Sequence, residues 1–181
     1  MDKTRKSIPG KYAPPAEFFT RIRRGDFIFI ASACAEPQRL VREFISYARG
    51  RSGPLSNPLE LHIQSLGVSP YTEEIFGAGF ALNSFFIGDS TRGAVNRGDA
   101  DYTPISLSQA PELFRRGLAR VDAALIQATP PDAQGYMSLG ISVDVVKAAV
   151  EAASIIIAQV NSRMPKVHGD AFIHIDDIDH I

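Results

Sequence analysis

Residues 129–140, Thr-Pro-Pro-Asp-Ala-Gln-Gly-Tyr-Met-Ser-Leu-Gly, gather a carboxylate, hydroxyls and two glycines into one short stretch. Asp132, Tyr136 and Ser138 can hydrogen-bond a polar ligand. Gly135 and Gly140 let a backbone turn sharply or approach closely. Pro130 and Leu139 would border such a site. The consecutive prolines cannot donate to a strand ladder, so the chain must leave a sheet here. Pro-Asp-x-x-Gly is also a plain turn signature, and a simple strand-to-helix connection satisfies it.

A second set is Ser32-Ala33-Cys34-Ala35-Glu36-Pro37. Its residues are small up to Glu36, and a helical pattern follows. Small residues admit a close ligand, and a helix N-terminus attracts anions. A tight packing turn has the same composition. Cys34 could be a nucleophile, although a lone cysteine usually serves as a small buried hydrophobe. Arg92 and Arg97 follow an apolar run and could meet an anion, as surface arginines also commonly do. Asn161 follows another such run. His168, Asp170, His174, Asp176, Asp177, Asp179 and His180 are metal-ligand types. They lack a His-x-x-x-His or similar pairing, and no metal is expected. There is no Gly-Lys-Ser/Thr phosphate loop, no Gly-x-Gly-x-x-Gly fingerprint and no Gly-x-Ser-x-Gly elbow.

These residues sit between elements that recur in alternation. Phe27–Ala31, Val121–Ile126 and Ser154–Val160 are apolar runs of strand length, as in strands buried on both faces. Leu59–Ile63, Phe80–Ile87 and Ala171–Ile175 are further strand candidates. Helical spacing is expected over Ala16–Arg24, from Leu40 to Gly50, after Asp89 or Ser90 to Arg97, from Ser108, and from Ser142, a good N-cap. Tyr71–Phe76 could form a helical turn or two, and 98–104 reads as a loop. Strand–helix alternation implies right-handed crossovers and a mostly parallel sheet flanked by helices, an α/β fold. The loops at 32–37 and 129–140 should then open at one edge, outside the carboxyl ends of the strands. Pro130, Pro131, Tyr136, Met137, Leu139 and Met164 either face a partner there or fold back as a plug.

The 181 residues are enough for one domain, with 45% hydrophobic and 22% charged residues. The balance of 19 basic and 20 acidic residues gives a net charge of −1, which provides no field for nucleic acid or an anionic membrane. One cysteine excludes an internal disulfide and a cysteine-rich zinc site. No apolar stretch is long enough to cross a bilayer, and no apolar segment of a secretory signal follows the basic start. Residues 1–14 read as a flexible basic arm, and 15–181 as a single α/β domain.

Four segments together resemble the N-terminal domain of the acetyl-CoA hydrolase/transferase family, which includes acetate and 4-hydroxybutyrate CoA-transferases. They are Arg24–Phe27 leading into Ala31–Pro37; Phe86-Ile87-Gly88, Arg92 and Gly98–Pro104; Thr129–Asp132 with Gly135–Gly140; and Val160-Asn161 with Met164-Pro165 and His168-Gly169. They span nearly the whole chain in the family's order, and the third is the most specific. Thr129 departs from the family's usual serine, and Ala133-Gln134 from a commonly charged or polar pair.

The resemblance implies a NagB/RpiA/CoA-transferase-like fold and an active site between two such domains. It implies ping-pong transfer of CoA from an acyl-CoA to a small carboxylate through a glutamyl-CoA thioester. The family's nucleophilic glutamate lies in the second domain, so no residue here is assigned as catalytic, Glu36 included. Ser32, Ala33, Cys34, Ala35, Glu36, Pro37, Arg92, Pro130, Asp132, Gly135, Tyr136, Ser138, Leu139, Gly140 and Asn161 are expected to bind substrate. Coenzyme A is a substrate, and no cofactor is expected. The expected partners are a C-terminal CoA-transferase domain and, in a homodimer, a second copy. The expected compartment is the cytoplasm. A non-catalytic domain binding a CoA thioester or carboxylate, or half of an acyl-CoA hydrolase, is the alternative.

Overall fold

The computed structural model describes residues 11, 12, 14–31, 33–50, 59–63 and 80–181. Among them, six strands form a wholly parallel sheet: β1 (Phe27–Ile30), β2 (Leu59–Ile63), β3 (Phe80–Ser84), β4 (Ala100–Tyr102), β5 (Ala123–Ala128) and β7 (Ile155–Val160). Their order is β4-β3-β2-β1-β5-β7. The chain starts at the centre, steps outward to β4, then returns to the other side of β1. β6 (Tyr136–Ser138) and β8 (Phe172–His174) form a separate antiparallel pair. The helices are α1 (Pro15–Phe19), α2 (Gln38–Gly50), α3 (Asp89–Arg97), α4 (Ala110–Arg115) and α5 (Val146–Ala152).

Residue parity divides the core, because successive strand side chains point to opposite faces. Ile28, Ile30, Ala123, Leu125 and Ile157 pack with Phe18, Phe19, Leu40, Val41 and Phe44 of the α1–α2 layer. Phe29, Ala124, Ile126, Ile156 and Ala158 pack with Phe114, Val146, Ala149 and Val150 of the α4–α5 layer. Burying each large aliphatic or aromatic side chain contributes about 1.5–3 kcal/mol. The expected α/β class, with its parallel sheet between helices, is what these two layers build.

Several boundaries differ from the sequence expectation. β5 begins two residues later than Val121, because Asp122 is a cap. Its Oδ2 accepts from Phe27 N (2.8 Å), and its amide donates to Phe27 O (2.8 Å). The strand continues through Gln127 and Ala128, which pair with Gln159 and Val160, and only the prolines end it. Ser142 is not the cap of α5; the helix starts at Val146 after a turn in which Val146 N donates to Val143 O (2.8 Å). α1 stops at Phe19, where the Thr20 hydroxyl donates to Glu17 O (2.5 Å) and competes with helix continuation. The 98–104 segment contains the short edge strand β4, whose three residues, Ala100-Asp101-Tyr102, are too few to give an apolar signal. Tyr71–Phe76 lies outside the described residues, as does most of the expected arm.

The end of the chain covers the open edge of β7. Ala158 N donates to His180 O (2.8 Å), and Asp179 Oδ2 accepts from Ile156 N (2.9 Å). Lys11 Nζ in turn donates to Ile175 O (2.6 Å), and Ile181 N donates to Lys11 O (2.8 Å). An otherwise bare strand edge is thereby paired.

Candidate functional site

The strand order reverses between β1 and β5. In open α/β sheets, ligands settle in the crevice outside the carboxyl ends at such a point. The segments after β1 and β5 both leave from this edge, because the two strands are adjacent and parallel, with Ile30 beside Leu125.

After β1, Ala31 N still donates to Leu125 O (2.9 Å). Ser32 lies outside the described residues. Ala33 has φ +52°, the only positive value at a described non-glycine residue. A Cβ makes this region unfavourable, and such strain concentrates at ligand-binding turns. A 3-10 turn at Ala33–Ala35 follows, exposing Cys34 and burying Ala35. Glu36 and Pro37 are also buried. The N-terminus of α2 is not free for an anion. Gln38 N donates to Glu36 O (2.9 Å) and Val41 N to Pro37 O (2.9 Å). Arg39 N and Leu40 N both donate to Gln159 Oε1 (3.1 Å each).

After β5, the stretch from 129 to 140 is a closed and largely internal structure. Ser138 N donates to Thr129 Oγ1 (2.8 Å), and Thr129 N to Ser138 O (2.9 Å). Asp132 Oδ1 accepts from Gln134 N (3.0 Å) and Tyr136 N (2.9 Å), while Lys166 Nζ lies 3.7 Å from its other oxygen. The Tyr136 amide, and then the other amide and Lys166, hold this carboxyl below the ordinary aspartate range. Asp132 is thus a turn-former whose charge stays on. Ser138 Oγ accepts from Gly140 N (3.1 Å) and Val167 N (3.4 Å), and the residue is fully buried. Gly135 (φ +88°) leaves room for His174, whose Nε2 would lie 2.5 Å from an added Cβ. Gly140 (φ +73°) makes the same room for Met164. Met137 and Leu139 are a plug, with no exposure, whereas Tyr136 is 49% exposed against the edge of the His174 ring. Pro130 is exposed.

The crevice therefore gathers the 33–37 turn, the 128–132 segment and Asn161. It does not include Arg92, which lies on α3 beyond β3, pairs with Asp89 at 3.8 Å, and is two strands away from β1. Two residues not anticipated from sequence lie at its floor. Gln127 and Gln159 face each other across the β5–β7 ladder, on the α2 side where apolar residues precede them. The readable signal was a glutamine at the same place near the end of two apolar runs. Asn161 joins them through Nδ2 to Gln127 Oε1 (3.2 Å).

A cleft of about 570 Å³ is at the opposite edge and is lined by Arg21, Arg23, Asp26, Arg120 and Asp122. Arg120 already pairs there with Asp122 (2.7 Å) and Asp26 (3.8 Å). These charges close the amino ends of the strands. No three His, Cys, Asp or Glu side chains among the described residues converge in a metal-sized group. No helix among them is long and apolar enough to cross a membrane.

Residues 1–181 match the family model described as the acetyl-CoA hydrolase/transferase N-terminal domain. The chain is 40% identical over 163 residues to 4-hydroxybutyrate coenzyme A transferase of Clostridium kluyveri, covering 90% of this chain and 37% of that protein. It is 39% identical over 175 residues to succinyl-CoA:acetate/propanoyl-CoA:succinate CoA transferase of Fasciola hepatica, covering 94% and 36%. In structure it is similar to RipA from Yersinia pestis, with TM-score 0.76 and 26% identity, covering 94% of this chain and 41% of that one. The chain spans less than half the length of these relatives.

Proposed function

This chain belongs to the acetyl-CoA hydrolase/transferase family, and from that premise we propose that it is the N-terminal domain of an enzyme moving CoA between an acyl-CoA and a small carboxylate. The supporting observation is the crevice at the β1/β5 reversal, where the strained Ala33 turn and the Asp132-closed turn flank a floor of carboxamides. Relatives named as CoA transferases of several small acids support the same class. A second domain closes this crevice and carries the nucleophile.

The chemistry is a carboxylate relay. A glutamate outside this chain attacks the thioester carbonyl, forming an acyl-glutamyl anhydride and releasing CoA thiolate. The thiolate attacks the glutamyl carbonyl, giving glutamyl-CoA and the free acid. An incoming carboxylate attacks that thioester and releases the thiolate, which then attacks the acyl carbonyl. The new acyl-CoA leaves and the glutamate is regenerated. Covalent intermediates of this kind split one difficult step into easier ones. This chain forms one wall of the site, and CoA enters as substrate. The enzyme works in the cytoplasm.

The test is to incubate the full-length protein with acetyl-CoA and a panel of short carboxylates. Exchange of CoA, plus a borohydride-reducible thioester on one glutamate beyond Ile181 by mass spectrometry, is the expected result. Acetyl-CoA loss at the same rate without an acceptor acid would instead make it a hydrolase. Neither reaction would overturn the reading.

A further inference from the structure

We propose that the Gln127 side-chain amide is a substrate contact, donating through Nε2 to an oxygen of the small carboxylate and of the acyl group it becomes. The inference rests on the CoA-transfer reading for the identity of the ligand. The orientation of Gln127 rests on the hydrogen-bond network alone.

That network resolves which end of each carboxamide faces where. Backbone N–H groups only donate. Arg39 N and Leu40 N point at one atom of the Gln159 side chain, so that atom is its oxygen. The Gln159 NH₂ therefore faces Gln127 at 3.2 Å, and the Gln127 atom it meets is an acceptor. Asn161 gives the same answer independently. Its Oδ1 accepts from Arg163 N (2.9 Å), so its NH₂ faces Gln127 Oε1 at 3.2 Å. Two donors thus occupy the Gln127 oxygen, and the Gln127 NH₂ is turned the remaining way.

Gln127 is only 7% exposed, and no described residue accepts from its Nε2. Among the described residues, the fully enclosed side-chain atoms without a partner are Ser90 Oγ and His180 Nδ1. The Gln127 Nε2 therefore keeps access to open space. It lies one residue before the end of β5, beyond the last β1 pairing at Ile30–Leu125, which places it in the crevice beside the Ala33–Pro37 turn. A held, nearly buried N–H pair at a ligand crevice asks for an acceptor. A neutral donor suits both oxygens that the reaction alternates between, those of a carboxylate and of an acyl carbonyl. A site built to hydrogen-bond one substrate atom discriminates strongly when that bond is lost.

Gln127→Glu is the decisive variant in the full-length protein. It keeps an acceptor oxygen for Gln159 and Asn161 and removes the donor. The expected result is a carboxylate KM raised about tenfold or more. Gln127→Leu strands both donors, and it should lower the melting temperature as well. A carboxylate KM within about twofold of wild type in Gln127→Glu overturns the contact. A second measurement needs neither turnover nor a variant. In protein labelled with ¹⁵N-glutamine, the Gln127 Nε2 resonances should shift on saturation with acetate or butyrate. No shift overturns the contact. Absence of CoA transfer by the wild type overturns the functional reading, and the carboxylate titration still decides the role of Gln127.

Discussion

A side chain at position 140 would meet two obstacles. Gly140 has φ +73°, where L residues are strained, and its missing Cβ leaves space that Met164 fills. Gly140→Ala should therefore destabilise by about 1–3 kcal/mol. Adding Met164→Ala should recover part of that loss, because it removes the obstructing sulfur. Urea unfolding of both single variants and the double variant measures the coupling. Strict additivity would show that the Met164 contact is not what requires glycine. The neighbouring residues divide in the same local way. Met137 is wholly buried while Tyr136 is half exposed, so one three-residue strand serves both as plug and as surface.

At the scale of elements, the chain end is held to β7 by a histidine that must stay neutral. The His180 ring stacks on Phe18 with centroids 3.3 Å apart, and Arg21 Nη1 lies 3.2 Å from its Nε2. Arginine only donates, so Nε2 accepts and the ring proton sits on the enclosed Nδ1. Burial, then Arg21 and Lys11, push the His180 pKa down, and Asp179 opposes them. The folded state therefore disfavours the proton. Stability from this contact is complete above the unfolded value of about 6.5 and is lost as pH falls through it toward the lower folded value. Between pH 7.5 and 5, the melting temperature should fall more in wild type than in His180→Phe, which keeps the stack without titrating. Exchange of the Ala158 amide, which is bonded to His180 O, should accelerate over the same range. Parallel pH profiles for the two proteins would refute this.

On the scale of the whole molecule, the carboxyl edge carries three exposed apolar side chains beside its carboxamides. Tyr136, Ile141 and Val160 are exposed in segments at or beyond the ends of β5 and β7. Inter-domain contacts typically bury about 600–1,500 Å², and these side chains are suited to the centre of one. Hydroxyl-radical footprinting should find all three protected in the full-length protein relative to residues 1–181, with Leu107 and Leu118 unchanged. Equal labelling in both forms would place the second domain elsewhere. Residues 1–181 alone should transfer no CoA, since the proposed nucleophile lies outside them.

Much of this organisation is local and could be read from residues in order. The run at 27–30 alternates Phe and Ile, and 155–157 is all isoleucine, so composition alone marks both as buried strands of a parallel sheet. Small residues before Pro37, and the prolines after Thr129, mark where the chain leaves that sheet. The family resemblance rested on such contiguous stretches. What tertiary structure decided is pairing between distant segments. Asp132 and Ser138 look like ligand-binding groups in sequence, yet their oxygens are taken by backbone amides of the 129–140 stretch and by Lys166 and Val167 from a distant segment. Arg92 follows a strand, as a site residue would, but strand order sets it two strands from the crevice. Gln127 and Gln159 carry no local motif. Their meaning comes from a ladder that brings residues 127 and 159 side by side beneath the amides of Arg39 and Leu40. A hydrogen-bond partner more than thirty residues away leaves no periodic trace in the sequence, so only the fold could reveal it.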